Sequence, residues 1–492
     1  MTTTVPAGQN PRELTDWNPE DPARWDSKLA WSTLWTTTFS LILGFMVWYL
    51  PSALAPLMQG AGMLGPGQTG VDHAYWLVAM PGLAGGGLRL LWMILPPIMG
   101  TRKMVIFSTI LLIVPMAGWA FLLLGNGAGT QPSFPLLMVL AFLTGIGGGV
   151  FSGYMPSTSY FFPKKKQGVA LGLQAGIGNL GVAVVQLGTP MVAAMALLGA
   201  VAVKNQDKIK AANTKNAKAA ADGTASVPVP KGLEVHLTNA PVVIIGLLVL
   251  ATIVAVVVLK SVPIKSNVRQ QFDIFTNKHT WFMTMEYILT FGIFSGLAGQ
   301  FGVVLKDLYS APPTISWIYA APGIAFLGAF TGSVARIMWG PLCDRFGGGV
   351  WTVVAGVGIA ISTIPVLMAL RDDKHYTEAG VNAAGVAYKV GDTIKDSVPL
   401  GMFLLGMFLI FFFAGVGNAS TFKQMPMIFP PRQAGGVIGW TAAIAAFGPF
   451  LFGVAFRNVT KTSVFTFVLV YAVICAVLAW YYYARKGAEA KS

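Results

Sequence analysis

Apolar residues run along this chain in long blocks separated by short polar stretches. Each block is about the length that crosses the roughly 30 Å hydrocarbon core of a bilayer as one helix. The blocks lie near residues 31–57, 73–99, 103–125, 133–162, 168–200, 239–261, 281–304, 313–342, 349–370, 399–429, 435–457 and 461–484. A chain in lipid must satisfy every backbone N–H and C=O internally, so the pattern predicts an all-α membrane protein of twelve transmembrane helices. Glycine and proline recur inside the blocks. That weakens a helix in water but is usual in membranes, where small residues let backbones approach closely.

The second half echoes the first. GGGLRLLWMILPPIMG (85–100) lies without a gap on the segment ending GPLCDRFG, matching Gly85 with Gly332, Arg89 with Arg336, Trp92 with Trp339 and Gly100 with Gly347. FFPKKKQGVALGLQAGIGNLG (161–181) lies likewise on IFPPRQAGGVIGWTAAIAAFG (428–448). Two ungapped echoes predict two pseudo-symmetric six-helix bundles with a site between them near the bilayer midplane. The expected organisation is a tail at 1–27, a first bundle at 28–261 with an outer excursion at 203–235, a linker at 262–280, a second bundle at 281–484 and a tail at 485–492.

Composition agrees with a chain dissolved in lipid, at 54% hydrophobic and 11% charged residues. Arg102, Lys103, Lys164 to Lys166, Lys265, Arg269, Lys278, Arg345, Arg432, Arg485 and Lys486 fall on one side, which the charge rule makes the cytoplasm, with both termini. The location this implies is an inner or plasma membrane, crossed many times. The stretch Lys204 to Lys231 sets six lysines on the opposite side, in conflict with that rule, although long loops obey it loosely. The net charge of +14 reflects topology and this insert, so nucleic acid is a poor partner and the lipid bilayer the expected one. Cys343 and Cys475 suggest no disulfide framework. His73, His236, His279 and His375 stand near predicted loops, with no metal-ligand spacing and no nucleophile beside a base. An enzyme, a cofactor and a bound metal are therefore not expected. The first thirty residues lack the apolar centre of a cleavable signal, so the first helix must start insertion.

Arg89 and Arg336 are the candidate chemistry. A charge in hydrocarbon costs several kcal/mol on the gentler scales, and intramembrane ionisable residues mark substrate sites or internal ion pairs. Each arginine lies eleven residues before the glycine that ends its segment, ~16 Å of helix and half of a ~30 Å core. By the same count Asn179 and Phe151 lie ~18 Å deep, and Tyr287 and Phe291 ~14 and ~20 Å beyond Lys278. All six share one layer.

At this point the chain resembles a family, the NarK-type nitrate/nitrite porters of the major facilitator superfamily, over nearly its whole length. GPLCDRFGG, with Gly340, Asp344, Arg345 and Gly347, is similar to the superfamily's loop motif, while the first half has Pro97 where an aspartate would stand. AGIGNLG, its counterpart from Gly439 to Gly448, GVGNASTF and one arginine per half resemble the porter signature more specifically. The resemblance implies the major facilitator fold, a monomer, and nitrate and nitrite as partners. It makes Arg89 and Arg336 the anion-binding pair, Asn179 an amide ligand, and Phe151, Tyr287 and Phe291 the pocket walls, with Gly176 and Ala443 at equivalent places beside the anion. Chemistry agrees: a guanidinium offers paired N–H donors in a plane, which suits a flat oxyanion as an ammonium does not.

Two mechanisms stay open. Guanidiniums about 8 Å apart repel by about 2 kcal/mol at an effective dielectric near 20, so an empty site resists closing and exchange of nitrate for nitrite results. Against that stands Glu286, near the same layer, where the typical exchangers are apolar. It acts either as a proton site, making protons a second partner in symport, or as the ion-pair partner of Lys423. A non-transporting anion sensor is the remote alternative, and it would normally carry a signalling domain.

Overall fold

The computed structural model describes residues 12–125, 131–197, 203–204, 234–262, 273–309, 323–370, 373–375, 380–381, 387–388, 393–395 and 399–492. Twelve helices cross the described body. They are α1 (Ser27–Gly60), α2 (67–99), α3 (101–125), α4 (Phe134–Ser159), α5 (Lys164–Ala193), α6 (Asn239–Val258), α7 (Lys278–Leu308), α8 (Phe326–Phe346), α9 (Gly348–Leu370), α10 (Leu400–Ile428), α11 (Pro431–Ala445 continuing as Gly448–Asn458) and α12 (Lys461–Ala484). Ten segments qualify as spans by length and hydropathy, but the one from Gly67 to Gly125 is two helices hinged at Gly100. The remaining helix is α8, made less apolar by Arg336 at its centre.

Gly100 and Gly347, matched in the sequence echo, both adopt positive φ, 71° and 91°. An L side chain is strained there, so glycine permits the sharp turn that folds α2 back into α3 and α8 into α9. Several helices begin earlier than the apolar blocks. Lys164–Lys166 already belong to α5 and Lys278 to α7, because a helix continues into the interface where a charged end is solvated. The fifth helix ends at Ala193, short of residue 200.

Within the first half, α1 packs on α5, α2 and α6, and α2 on α4; within the second, α9 packs on α10 and α12, and α8 on α10. Between halves, α2 meets α11 and α5 meets α8, while α1 meets α7. Each contact maps onto its own partner when the halves are exchanged, as a two-fold relation requires. Small residues make it possible: a methyl at Gly82 would strike Pro449 and the backbone of Phe450, and one at Gly439 would strike Met93.

The N-terminal tail is more than a polar extension. Leu14, Trp17 and Trp25 pack on Ala30, Phe161 and Phe162, and Trp17 and Trp25 donate to the carbonyls of Tyr160 and Phe161. Glu20 accepts from the Lys164 amide at 2.8 Å, so it caps the N-terminus of α5 from a distance in sequence. The C-terminal tail docks on the other half: Ser492 is 8% exposed and accepts from the Gly349 amide. Short two- and three-residue strand pairs, such as Asp373–His375 with Thr393–Lys395, lie outside the spans. The lysine-rich insert from 205 to 231, the linker residues 263–272 and residues 313–322 of the eighth apolar block lie outside the described residues.

Candidate functional site

α2 carries Arg89 into the centre of the body, where it has no exposed surface. Its Nε donates to the Gly148 carbonyl of α4 at 2.9 Å and Nη1 to the Ala442 carbonyl of α11 at 2.7 Å. One arginine thus touches both halves. Its Nη2 has no hydrogen-bond partner among the described residues. The guanidinium lies 5.2 Å from the ring of Trp48, 4.7 Å from Phe151 and 5.0 Å from Phe291. Gly85 and Gly86, within a turn of Arg89, leave the room in which Trp48 and Phe447 pack.

Arg336 on α8 is 3% exposed, with neither Nη1 nor Nη2 hydrogen-bonded, and its guanidinium lies 4.7 Å from the ring of Phe422. The aromatic rings join the two arginines. Phe151 meets Phe422 at 6.1 Å, Phe422 meets Tyr287 at 5.2 Å, and Tyr287 stacks on Phe291 at 5.3 Å with 5° between planes. α4, α7 and α10 therefore supply one aromatic wall that reaches from Arg89 to Arg336. The two guanidiniums lie within electrostatic reach of each other and of the Tyr287 hydroxyl. That hydroxyl faces Arg336 without meeting hydrogen-bond geometry.

Asn179 of α5 is fully buried with both amide atoms unpaired, and Asn418 of α10 leaves its side-chain oxygen unpaired. Gly176 lies against Ile337, next to Arg336, where a methyl would clash; Ala443, its counterpart in the echo, is buried beside Ala442. Among the described residues, unsatisfied polar groups thus remain on both guanidiniums, on the Asn179 amide and on the Tyr287 phenol. Buried donors without acceptors are costly, and an anion is the partner that relieves them.

Glu286 is adjacent in sequence to Tyr287 but turned away from this pocket. It has no exposed surface, and neither carboxylate oxygen is hydrogen-bonded among the described residues. It lies within electrostatic reach of Tyr471, Cys475 and Tyr483 of α12. The expected pairing with Lys423 is not found, because the Lys423 ammonium is bonded to Asp344 of the loop motif. Arg345 of that motif lies over the ring of Phe346. Cys343 and Cys475 are both free and buried.

Sequence reasoning assigned no role to Phe422, Asn418 or Trp48. The first two stand inside GVGNASTF, so a position was available although no rule of spacing aimed them at an arginine. A π-helical turn, Ile288–Gly292, follows Tyr287 and contains Phe291. Such insertions cluster at functional sites and have no sequence signature.

Comparison with known proteins supplies the family and the fold. A model of the Major Facilitator Superfamily matches residues 37–374. A probable nitrate/nitrite antiporter, NarK2 of Thermus thermophilus, is 47% identical over 97% of this chain and 97% of its own length. The nitrate/nitrite transporter NarU of Escherichia coli strain K12 is 29% identical over 96% of each chain. In fold, a D-xylose-proton symporter superposes with a TM-score of 0.59 at 15% identity, covering 92% of this chain and 97% of that one. With a fold of paired six-helix bundles and relatives that are carriers rather than enzymes, the chain is a membrane transporter belonging to the NarK-type nitrate/nitrite porter family of the major facilitator superfamily.

Proposed function

We propose that the protein moves nitrate and nitrite by alternating access, with the anion held between Arg89 and Arg336. One observation carries this reading: three unpaired guanidinium nitrogens, contributed by both halves, border one buried aromatic wall. A flat monoanion fits between such rings and takes N–H bonds in its plane, whereas tetrahedral sulfate or phosphate is too thick and too highly charged. Asn179 and the Tyr287 hydroxyl supply further polar contacts, and Gly176 and Ala443 keep the helix backbones close to the pocket. The empty pocket holds two like charges, so it occludes readily only when loaded, and exchange follows. Gly340, Asp344, Arg345 and Gly347 form the hinge between α8 and α9, held to α10 through Lys423. The basic face with both tails is the cytoplasmic side of an inner membrane, and the carrier works as a monomer.

Counterflow in proteoliposomes tests the proposal. Labelled nitrate enters vesicles preloaded with nitrite or nitrate at least tenfold faster than vesicles preloaded with chloride. Binding of nitrate without any such flux would instead identify a sensor.

A further inference from the structure

The buried acid that the anion pocket does not use has its own surroundings. Glu286 and His279 are seven residues apart on α7, two turns and ~10 Å along one face. Met283, between them on that face, is buried and apolar. α12 packs alongside: the Tyr471 hydroxyl donates to the Met285 carbonyl at 3.0 Å, and Cys475 Sγ lies 3.8 Å from the same carbonyl. Its last turn is π-helical, Trp480–Ala484, and it buries Tyr483, whose hydroxyl lies 3.1 Å from His279 Nδ1. His279 Nε2 lies 3.4 Å from Glu489, an exposed carboxylate of the docked tail. The ionisable groups of α12 within electrostatic reach of Glu286 are Tyr471, Cys475 and Tyr483. Lys423 of α10 is held by Asp344, and residues 433–445 of α11 contain no ionisable side chain.

We infer that Glu286 is a proton-binding site and that Tyr483, His279 and Glu489 form its exit to the cytoplasmic surface, a route through α7 and α12 separate from the anion's. The inference rests on the anion site proposed above, since charge balance links the two. With a monoanion between two guanidiniums and Glu286 neutral, the buried groups sum to one positive charge. With the anion gone and Glu286 ionised, the sum is the same. Release of one proton with one anion therefore lets the empty carrier return, while a carrier that keeps its proton is confined to exchange. Neither Glu286 oxygen is bonded to Tyr483 among the described residues, so a water entering between them carries the first step. The proton breaks from the Glu286 carboxyl to that water as the water gives one to the Tyr483 oxygen and the Tyr483 proton moves to His279 Nδ1; His279 then gives up its Nε2 proton toward Glu489 and solvent. Carboxylate is left behind, and no redox partner is needed.

The test uses the full chain in proteoliposomes with a trapped pH dye, voltage clamped to zero, and nitrate as the only permeant anion. Wild type takes up nitrate into vesicles lacking internal nitrate or nitrite, acidifies the lumen, and does so at least tenfold faster with an acidic exterior. Glu286→Gln loses that acidification. Tyr483→Phe and His279→Phe, which lie outside the anion pocket, reduce acid-driven uptake at least fivefold and leave nitrite-loaded counterflow within twofold of wild type. The proposal fails if wild type shows counterflow with no proton movement, a result that leaves the anion site standing. It also fails if the α7 and α12 variants lower counterflow and acid-driven uptake in equal measure, which is the mark of a merely structural role. Absence of counterflow in wild type removes the anion site itself.

Discussion

The unusual property of Arg89 and Arg336 is that they are buried without acidic partners among the described residues. Arg89 reaches only carbonyls and rings, and Arg336 lies against a ring with its terminal nitrogens open. A fixed positive charge in such a place is tolerated when a bound anion completes it. Arg89→Lys and Arg336→Lys keep the charge but lose the planar fork, so each is expected to lower nitrate counterflow at least tenfold while inserting normally. Unchanged nitrate affinity in both variants would count decisively against the site. Phe422→Ala removes the ring that connects the two arginines. It is expected to weaken nitrate binding by about 1–2 kcal/mol, five- to thirtyfold, through lost cation–π contact and stacking. Competition by sulfate should rise in the same variant, measured as inhibition of nitrate counterflow.

At the scale of elements, contact distance between helices decides function. At Gly82, α2 approaches α11 so closely that any side chain meets backbone, and no rotamer can relieve it. Gly82→Val is expected to hold these helices apart and slow counterflow at least tenfold, with the protein still inserting. The tails act as straps. Replacing Glu20 with alanine removes a cap from α5 and should cost about 0.5–2 kcal/mol, seen as a lower unfolding temperature in detergent. On the other half, a hydrogen bond from Lys278 holds the Glu489 carboxyl below its ordinary range. A lowered value means the docking contribution is complete above the ordinary glutamate range and is lost as pH falls through that lowered value. Hydrogen exchange at residues 487–492 should rise there; exchange that is flat with pH would contradict this contact.

For the whole molecule, polar contacts between halves gather on the face away from the tails. The Tyr75 hydroxyl of α2 donates to Asp307 of α7 at 2.9 Å, and Arg457 of α11 lies 3.7 Å from Asp72 of α2. Tyr49 of α1 donates to the Ser295 carbonyl, and Gln186 of α5 to that of Ala298. Lys461 adds a 2.5 Å contact to Asp307 within the second half. Together these hold the two halves closed on the face away from the tails, which is the outer side in the orientation proposed above. Asp307→Asn weakens the latch by about 1 kcal/mol, a shift of roughly fivefold in the open-to-closed ratio. Labelling of a cysteine introduced at Ser52 by an impermeant reagent added outside should speed up correspondingly, and an unaltered rate would argue against the latch.

Much of this architecture is written locally. Hydrocarbon length sets the helices, and the paired glycines at 100 and 347 with their arginines at equal depth show the repeat, because depth along a helix is a matter of counting. Phe151, Asn179, Tyr287 and Phe291 could be assigned to the layer of the arginines for the same reason. Counting along a helix says nothing about rotation around it. Only the packed structure turns Tyr287 toward Arg336 and its neighbour Glu286 toward α12, joins Phe422 to the wall, and gives Lys423 to Asp344 instead of Glu286. Partner choice among charged and aromatic side chains depends on which helices touch and at what azimuth, and that is decided by close packing of small residues between elements far apart in the chain.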